Sequence, residues 1–358
     1  MKNNIIEQKF LEATKNILEK NLKFLEKPYS ENKVVLVYDS DSKLSNFLAK
    51  WYIENLKNYN HPLTPSLIRK GEIEIINFDE IKKENLKEKL INLKKNSTVI
   101  LVQSTNFRIE NFRIRMTLHK SWIWCLEHNH LWYISDKQVE NYADAIEYKT
   151  PYYEKLSKKL KQISDNANTL KIISKNWNEL IFEWWFEDMK QNTGNYEGKN
   201  RGWSFPIWEN FTEIKNFAKA NWKISIRAFP DTKMITHFLK EPFTLEIKES
   251  LVVSWSENTP KNFVEILEKI KQNEDGEIYL RELGFGLNNW ISWEKNLNDV
   301  NAFERIAGFH MSLWKKHWIY RKKFHRKIIQ RYHIDVFSDT HKIFFDDKLI
   351  FEKERFVI

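Results

Sequence analysis

VVLVYDSDSKLS (Val34 to Ser45) decides how the first part of the chain is read. Its short apolar run, Val34 to Asp39, breaks at a polar turn, and apolar residues then recur at helical spacing from Ser42 to Asn58. The same alternation extends to both sides. Ile5 to Leu25 has helical spacing and is closed by Pro28. EIEIINF (Glu72 to Phe78) reads as a second strand, with Asp79 capping a Lys/Glu-rich helix behind it. TVILVQS (Thr98 to Ser104) is continuous and apolar, as a strand buried on both faces must be. A further helical segment leads to LWYIS (Leu131 to Ser135), read as the last strand of the set. Strands alternating with helices predict an α/β domain over residues 1–150, a parallel sheet with flanking helices.

Ligands of such sheets bind at the carboxyl ends of the strands, here Asp39 to Asp41 and Gln103 to Thr105. VYDSDSKLS contains no glycine, which argues against a phosphate-cradling loop. A structural or oligomerising role is therefore expected for this domain.

The pattern changes at Pro151. A charged helix (Tyr152 to Ser164) precedes strand-like runs: TLKIIS, ELIFEWWF, WKISIRAF, FTLEIK, SLVVSW and the closing KIFFDDKLIFE. Helical stretches interrupt them at Lys261 to Gln272 and around Asn298 to Ile306. Residues 151–358 are thus expected to form an α+β C-terminal metal-binding domain with a largely antiparallel sheet.

Composition sets the outer limits. Over 358 residues, 42% hydrophobic and 30% charged residues supply two cores and exclude a disordered chain. A single Cys excludes an intrachain disulfide and any Cys-based zinc site. No apolar run approaches a membrane span, and MKNNIIEQKF lacks a signal-peptide core, so a cytoplasmic protein is expected. The formal charge of +9 permits an acidic partner without requiring one. WKKHWIYRKKFHRKIIQRYH (Trp314 to His333) is basic and interleaved with aromatics. No nucleic-acid-binding motif accompanies it, so a solvated connector is preferred over a nucleic-acid surface.

Four segments combine acids with imidazoles: FPIWENFTE (Phe205 to Glu213), LRELGFGLN (Leu280 to Asn288), AGFHMSL (Ala307 to Leu313) and RYHIDVFSD (Arg331 to Asp339). Carboxylates and neutral imidazoles without thiolates are the donor mix for zinc, manganese, cobalt or ferrous iron. Residues two apart on a strand share a face, so His333 and Asp335 can address one metal. Gly284 and Gly286 would let the backbone bend or approach closely beside Glu282.

In their order these segments resemble the aminopeptidase T type of metalloaminopeptidase, over about Tyr152 to Ile358. The family carries a PxGEVFTxP-like segment, an E-x-G-x-G-x-N segment, a V-H-x-A-L-G segment and an H-x-D segment. Onto these fall FPIWENFTE, RELGFGLN, GFHMSL and YHID, and IFFDDKLIFE resembles the family's terminal hairpin. The resemblance implies one or two divalent metal ions (Zn, Co or Mn) on Glu209, Glu282, His310, His333 and Asp335. It implies hydrolysis of an N-terminal peptide bond by a metal-activated water, with Glu209 or Glu282 bridging ions or acting as base. A peptide substrate and a homo-oligomer follow from the same resemblance.

The departures are local. His317 stands where the family often has tyrosine, and Tyr320 lies three residues on, so either is the candidate polar group nearest the substrate. NWNEL (Asn176 to Leu180) replaces a Gly-Thr-Asp-Leu stretch, and Trp314 replaces a glycine. The related 2,5-dihydroxypyridine dioxygenases use a 2-His-1-carboxylate iron centre, and His310, His333 and Asp335 would supply it with Fe(II). A non-haem iron dioxygenase acting on an aromatic or peptide substrate is thus the alternative. A repurposed peptide-modifying protein on the same scaffold is the third reading.

Overall fold

The computed structural model describes residues 2–23, 33–60, 72–110, 112–118, 121–183, 186–195, 201–215, 220–273, 276–314, 319–320 and 333–358. The chain forms two units: Met1–Thr150 with Thr193–Ile207, and Pro151–Asn192 with Trp208–Ile358. The chain thus returns to the first unit once after entering the second.

The first unit is built on a parallel sheet with helices around it. Its strand order is Gly202–Phe205, Trp124–His128, Thr98–Val102, Val34–Tyr38, Ile73–Asn77. Val35, Val37, Val99, Leu101 and Cys125 form one apolar face, covered by Leu86 and Leu90 of the helix Lys83–Ile91 and by Ile114 and Leu118. Helices Lys2–Asn16 and Lys43–Asn60 belong to the same unit, as the apolar spacing predicts.

Two expectations are corrected here. LWYIS is not a strand: Leu131–Tyr133 is a single 3-10 turn. The fourth strand is Trp124–His128, whose two polar residues disguise it. Glu127 is buried against Arg115, Ser204 and Gln103, and His128 is buried between two tyrosines. Tertiary partners satisfy both side chains, so polarity at these positions carries no strand-breaking message. The fifth strand, Gly202–Phe205, comes from the returning segment and had no place in the sequence reading. At the carboxyl ends of the central strands, Asp39 accepts hydrogen bonds from the Ser104 amide (2.7 Å) and hydroxyl (2.6 Å).

In the second unit an extended antiparallel sheet runs Arg355–Phe356, Lys348–Glu352, Thr340–Phe345, Thr169–Ser174, Glu179–Glu183, Ala220–Pro230, His333–Ser338, Gly308–Trp314, Leu280–Gly286, Glu209–Glu213, Lys190–Asn192. Thr236–Lys248 branches from Ala220–Pro230 and pairs in turn with Leu251–Trp255. Helices Thr150–Asn166 and Lys261–Asn273 match the expected spans closely. The helix expected around Asn298 to Ile306 shrinks to Val300–Phe303, capped by Asp299, whose carboxylate accepts from the Ala302 amide at 3.0 Å. Beyond it, Ile306 and Ala307 bridge to Asn288 and Gly286 instead of continuing the helix. Among the described residues no helix is long and apolar enough to cross a membrane.

Candidate metal centre

Four neighbouring strands of the second unit carry the acids and imidazoles, and their register puts them on one face. Glu213 lies opposite Glu282, and Glu209 opposite Gly286. Gly284 lies opposite His310, and Ser312 opposite Asp335. Residues directly opposite each other point the same way, and so do residues two apart. Glu209, Glu282, His310, His333 and Asp335 therefore lie on one face of the sheet.

Glu209, Glu282 and His310 each offer a ligand atom, and these atoms lie within 4.8 Å of one another. His310 Nε2 is 3.1 Å from Glu209 Oε1, and His333 Nε2 is 3.0 Å from Asp335 Oδ1. Glu209, Glu282, His310 and Asp335 are all buried.

The glycines of ELGFG explain how this crowding is possible. A Cβ on Gly284 would lie 2.0 Å from His310 Nε2, so the imidazole rests directly on the neighbouring backbone. A Cβ on Gly286 would lie 2.0 Å from the Ile306 carbonyl oxygen, so the 304–306 segment crosses this strand backbone to backbone. That crossing is tied by the Asn288 amide, which donates to the Arg305 carbonyl at 2.8 Å.

It also delivers two residues that the sequence reading missed. Arg305 Nη1 donates to Glu209 Oε2 at 2.5 Å and to Glu304 Oε2 at 2.8 Å. Both belong to FERIAGFH, directly upstream of a singled-out histidine, and an acid–base pair there was the available signal.

The electrostatics follow from burial among charges. Burial pushes the Glu282 carboxyl well up; His333 opposes this, while Glu209, Asp335 and Glu213 add to it. Glu304 is raised by burial and next by Asp335, against the pull of Arg305. Glu209 goes the other way: burial disfavours its charge, but Arg305 and then His310 hold it below the usual range. Asp335 is likewise held low against burial, chiefly by His333. Burial disfavours a charged His333, yet Asp335, Glu282 and Glu304 hold its pKa well above the ordinary imidazole value.

Tyr320 is buried, and its hydroxyl donates to the Asp188 carbonyl at 2.9 Å. Burial and then the charges of Glu282 and Glu213 push its phenol up. A cleft of about 420 Å³ lined by Phe186, Glu187, Asp188 and Lys215 lies beside this contact. His317 lies outside the described residues.

The donor set fits a divalent cation. Glu209 Oε1, Glu282 Oε2, both His310 ring nitrogens and both Asp335 oxygens are buried without a well-formed hydrogen bond among the described residues. Glu209 Oε1 with His310 Nε2, and Asp335 Oδ1 with His333 Nε2, meet only as close pairs, and a buried polar atom left with no partner costs about 1–3 kcal/mol. A bound ion converts that cost into coordination, and oxygen with imidazole nitrogen is the mix that zinc, manganese or ferrous iron accepts.

No family model matches the chain, and no curated protein matches it. Among solved structures it is similar to 2,5-dihydroxypyridine dioxygenase from Pseudomonas putida KT2440, with a TM-score of 0.64 and 13% identity, over 98% of this chain and 97% of that one. At that identity the likeness shows a shared fold across nearly the whole length. The aminopeptidase T resemblance finds no counterpart among these matches.

Proposed function

We propose that the chain is a non-haem iron oxygenase with a single ferrous ion on His310, His333 and Asp335, acting on an aromatic substrate. The observation that carries this reading is the pair of adjacent strands Gly308–Trp314 and His333–Ser338. Through the Ser312–Asp335 register they set two imidazoles and a carboxylate on one face. Two histidines and one acid leave open positions on iron, and that is the arrangement of oxygen-using ferrous enzymes. The full-length likeness to a structure named as a dioxygenase supports the same choice.

Iron bound there would supply redox chemistry with dioxygen. The chain's own residues do the rest. Glu282, whose buried Oε2 has no hydrogen-bond partner among the described residues, is the carboxyl that would exchange a proton with a substrate hydroxyl. Phe337, 5.5 Å from the His310 ring, and Phe303, 4.8 Å from Phe337, form an apolar wall beside the imidazole. Tyr320, whose hydroxyl donates to the Asp188 carbonyl and whose phenol feels the charge of Glu282, is the polar group that would meet the substrate. Cleaving an aromatic ring with dioxygen places both oxygen atoms in the product and needs no external reductant.

A second reading is favoured by the grouping of Glu209 and Glu282 with His310. Those carboxylates suit a two-ion hydrolase acting on an N-terminal peptide bond. Anaerobic reconstitution with Fe(II), followed by metal analysis and oxygen-electrode assays on dihydroxylated pyridines and aminoacyl substrates, separates the two. One iron per chain with oxygen uptake on a dihydroxypyridine supports the oxygenase. Two zinc, cobalt or manganese ions with release of an amino acid overturn it.

A further inference from the structure

Arg305 meets the carboxylates of the centre in an unusual way. A single guanidinium nitrogen, Nη1, holds Glu209 Oε2 at 2.5 Å and Glu304 Oε2 at 2.8 Å, and its side chain is only 7% exposed. Nothing about the contact is loose. Its backbone is pinned by the Asn288 amide, and the adjoining Ile306 carbonyl lies where a Cβ on Gly286 would sit. Arginine also stays charged at any pH the protein meets.

We infer that Arg305 is a built-in substitute for a second metal ion and sets the capacity of the centre at one. Glu209, Glu304 and Glu282 are the carboxylates that a second ion would need. Glu209 and Glu304 each give one oxygen, Oε2, to the same guanidinium nitrogen, which holds both acids and brings a fixed positive charge among them. Glu282 keeps a buried oxygen without a hydrogen bond among the described residues. A cation placed among these three would sit against a fixed positive charge in a poorly screened interior, where like charges repel far more strongly than in water.

Formal charge makes the same point. With the four carboxylates Glu209, Glu282, Glu304 and Asp335 ionised and both imidazoles neutral, the forms that bind metal, one divalent ion and Arg305 bring three positive charges. Two divalent ions without Arg305 bring four, a neutral set. Removing the guanidinium therefore creates both the vacancy and the charge demand for a second ion. Arg305 is a positioning residue: it acts through Glu209 and Glu304 and decides how many ions those acids may serve.

The inference rests on the single-ion reading above, and the test separates the two. The full-length chain is equilibrated with Mn(II). Bound ions per chain are counted by elemental analysis, and electron paramagnetic resonance reports whether ions are spin-coupled. Wild type is expected to hold one uncoupled ion. R305M is expected to hold two, with a coupled spectrum, while R305K keeps a cation in place and holds one. Should R305M fail to fold, R305Q carries the same expectation, since its amide can still donate to Glu209. One ion in wild type and in both neutral variants overturns the inference and leaves the single-ion reading standing. Two ions in wild type overturn both, as does no ion in any form.

Discussion

Gly284 and His310 face each other across two paired strands so closely that a methyl group on the glycine would lie 2.0 Å from the imidazole Nε2. The missing side chain is thus the seat of the histidine ring. Two residues on, the same absence lets the Ile306 carbonyl rest on Gly286. One strand accommodates a candidate ligand with its first glycine and the arginine-bearing segment with its second.

G284A and G286A are expected to separate these two effects. In G284A the ring can tilt away, so stability should fall by about 1–3 kcal/mol, as for other overpacked sites, while metal binding weakens sharply. In G286A the obstacle is backbone, which cannot rotate aside, so the loss of stability should be the larger of the two. Urea midpoints and metal titrations on both variants check this order. Equal destabilisation with unchanged metal affinity would defeat it.

Asp335→Ala should remove most bound metal, because among the described residues both its oxygens are buried without a well-formed hydrogen bond and His333 Nε2 is 3.0 Å away. His310→Ala should act in the same direction. Elemental analysis after dialysis decides the matter, and wild-type metal content in Asp335→Ala would rule the assignment out.

His128 predicts an acid weakness in the first unit. Its ring nitrogens lie 2.7 Å from the Tyr52 hydroxyl and 2.9 Å from the Tyr142 hydroxyl, and burial pushes its pKa down to about 3 against an ordinary 6.5. Between these values the unfolded chain takes up a proton that the folded one refuses. This contribution is whole above about pH 6.5 and is lost as pH falls toward 3. By pH 5 the loss should be about 2 kcal/mol. Urea unfolding of wild type and H128Q at pH 7 and pH 5 tests this, and the gap between them should shift by that amount in favour of the variant at pH 5.

Arg115 should be costly to remove. Its Nε donates to Glu127 Oε1 at 2.7 Å, and Glu127 is buried with its pKa held low, against burial, by Arg115 and then Arg113. R115M removes the nearest charge and leaves Arg113, Ser204 and Gln103 to hold the carboxylate, and should destabilise the fold by about 1.5–3 kcal/mol. The double variant R115M/E127Q should recover much of the loss. Additive losses in a double-mutant cycle would show that the pair is not coupled.

What the sequence determined alone were the features carried by local spacing. Period-two and continuous apolar runs marked Val34–Tyr38, Ile73–Asn77, Thr98–Val102 and the closing hairpin, because strand formation at those places agrees with nearest-neighbour chemistry. The H-x-D pair was legible for the same reason, since residues two apart on a strand must share a face. Trp124–His128 was not legible, because Glu127 and His128 are satisfied by Arg115, Ser204, Tyr52 and Tyr142, none adjacent in sequence. Nor was the return of Gly202–Phe205 to the parallel sheet, which depends on pairing with Trp124–His128. Above all, nothing local puts Arg305 on Glu209, 96 residues away. Gly286 leaves the space in which the 304–306 segment lies against its strand, and only the tertiary structure decides where such an approach falls.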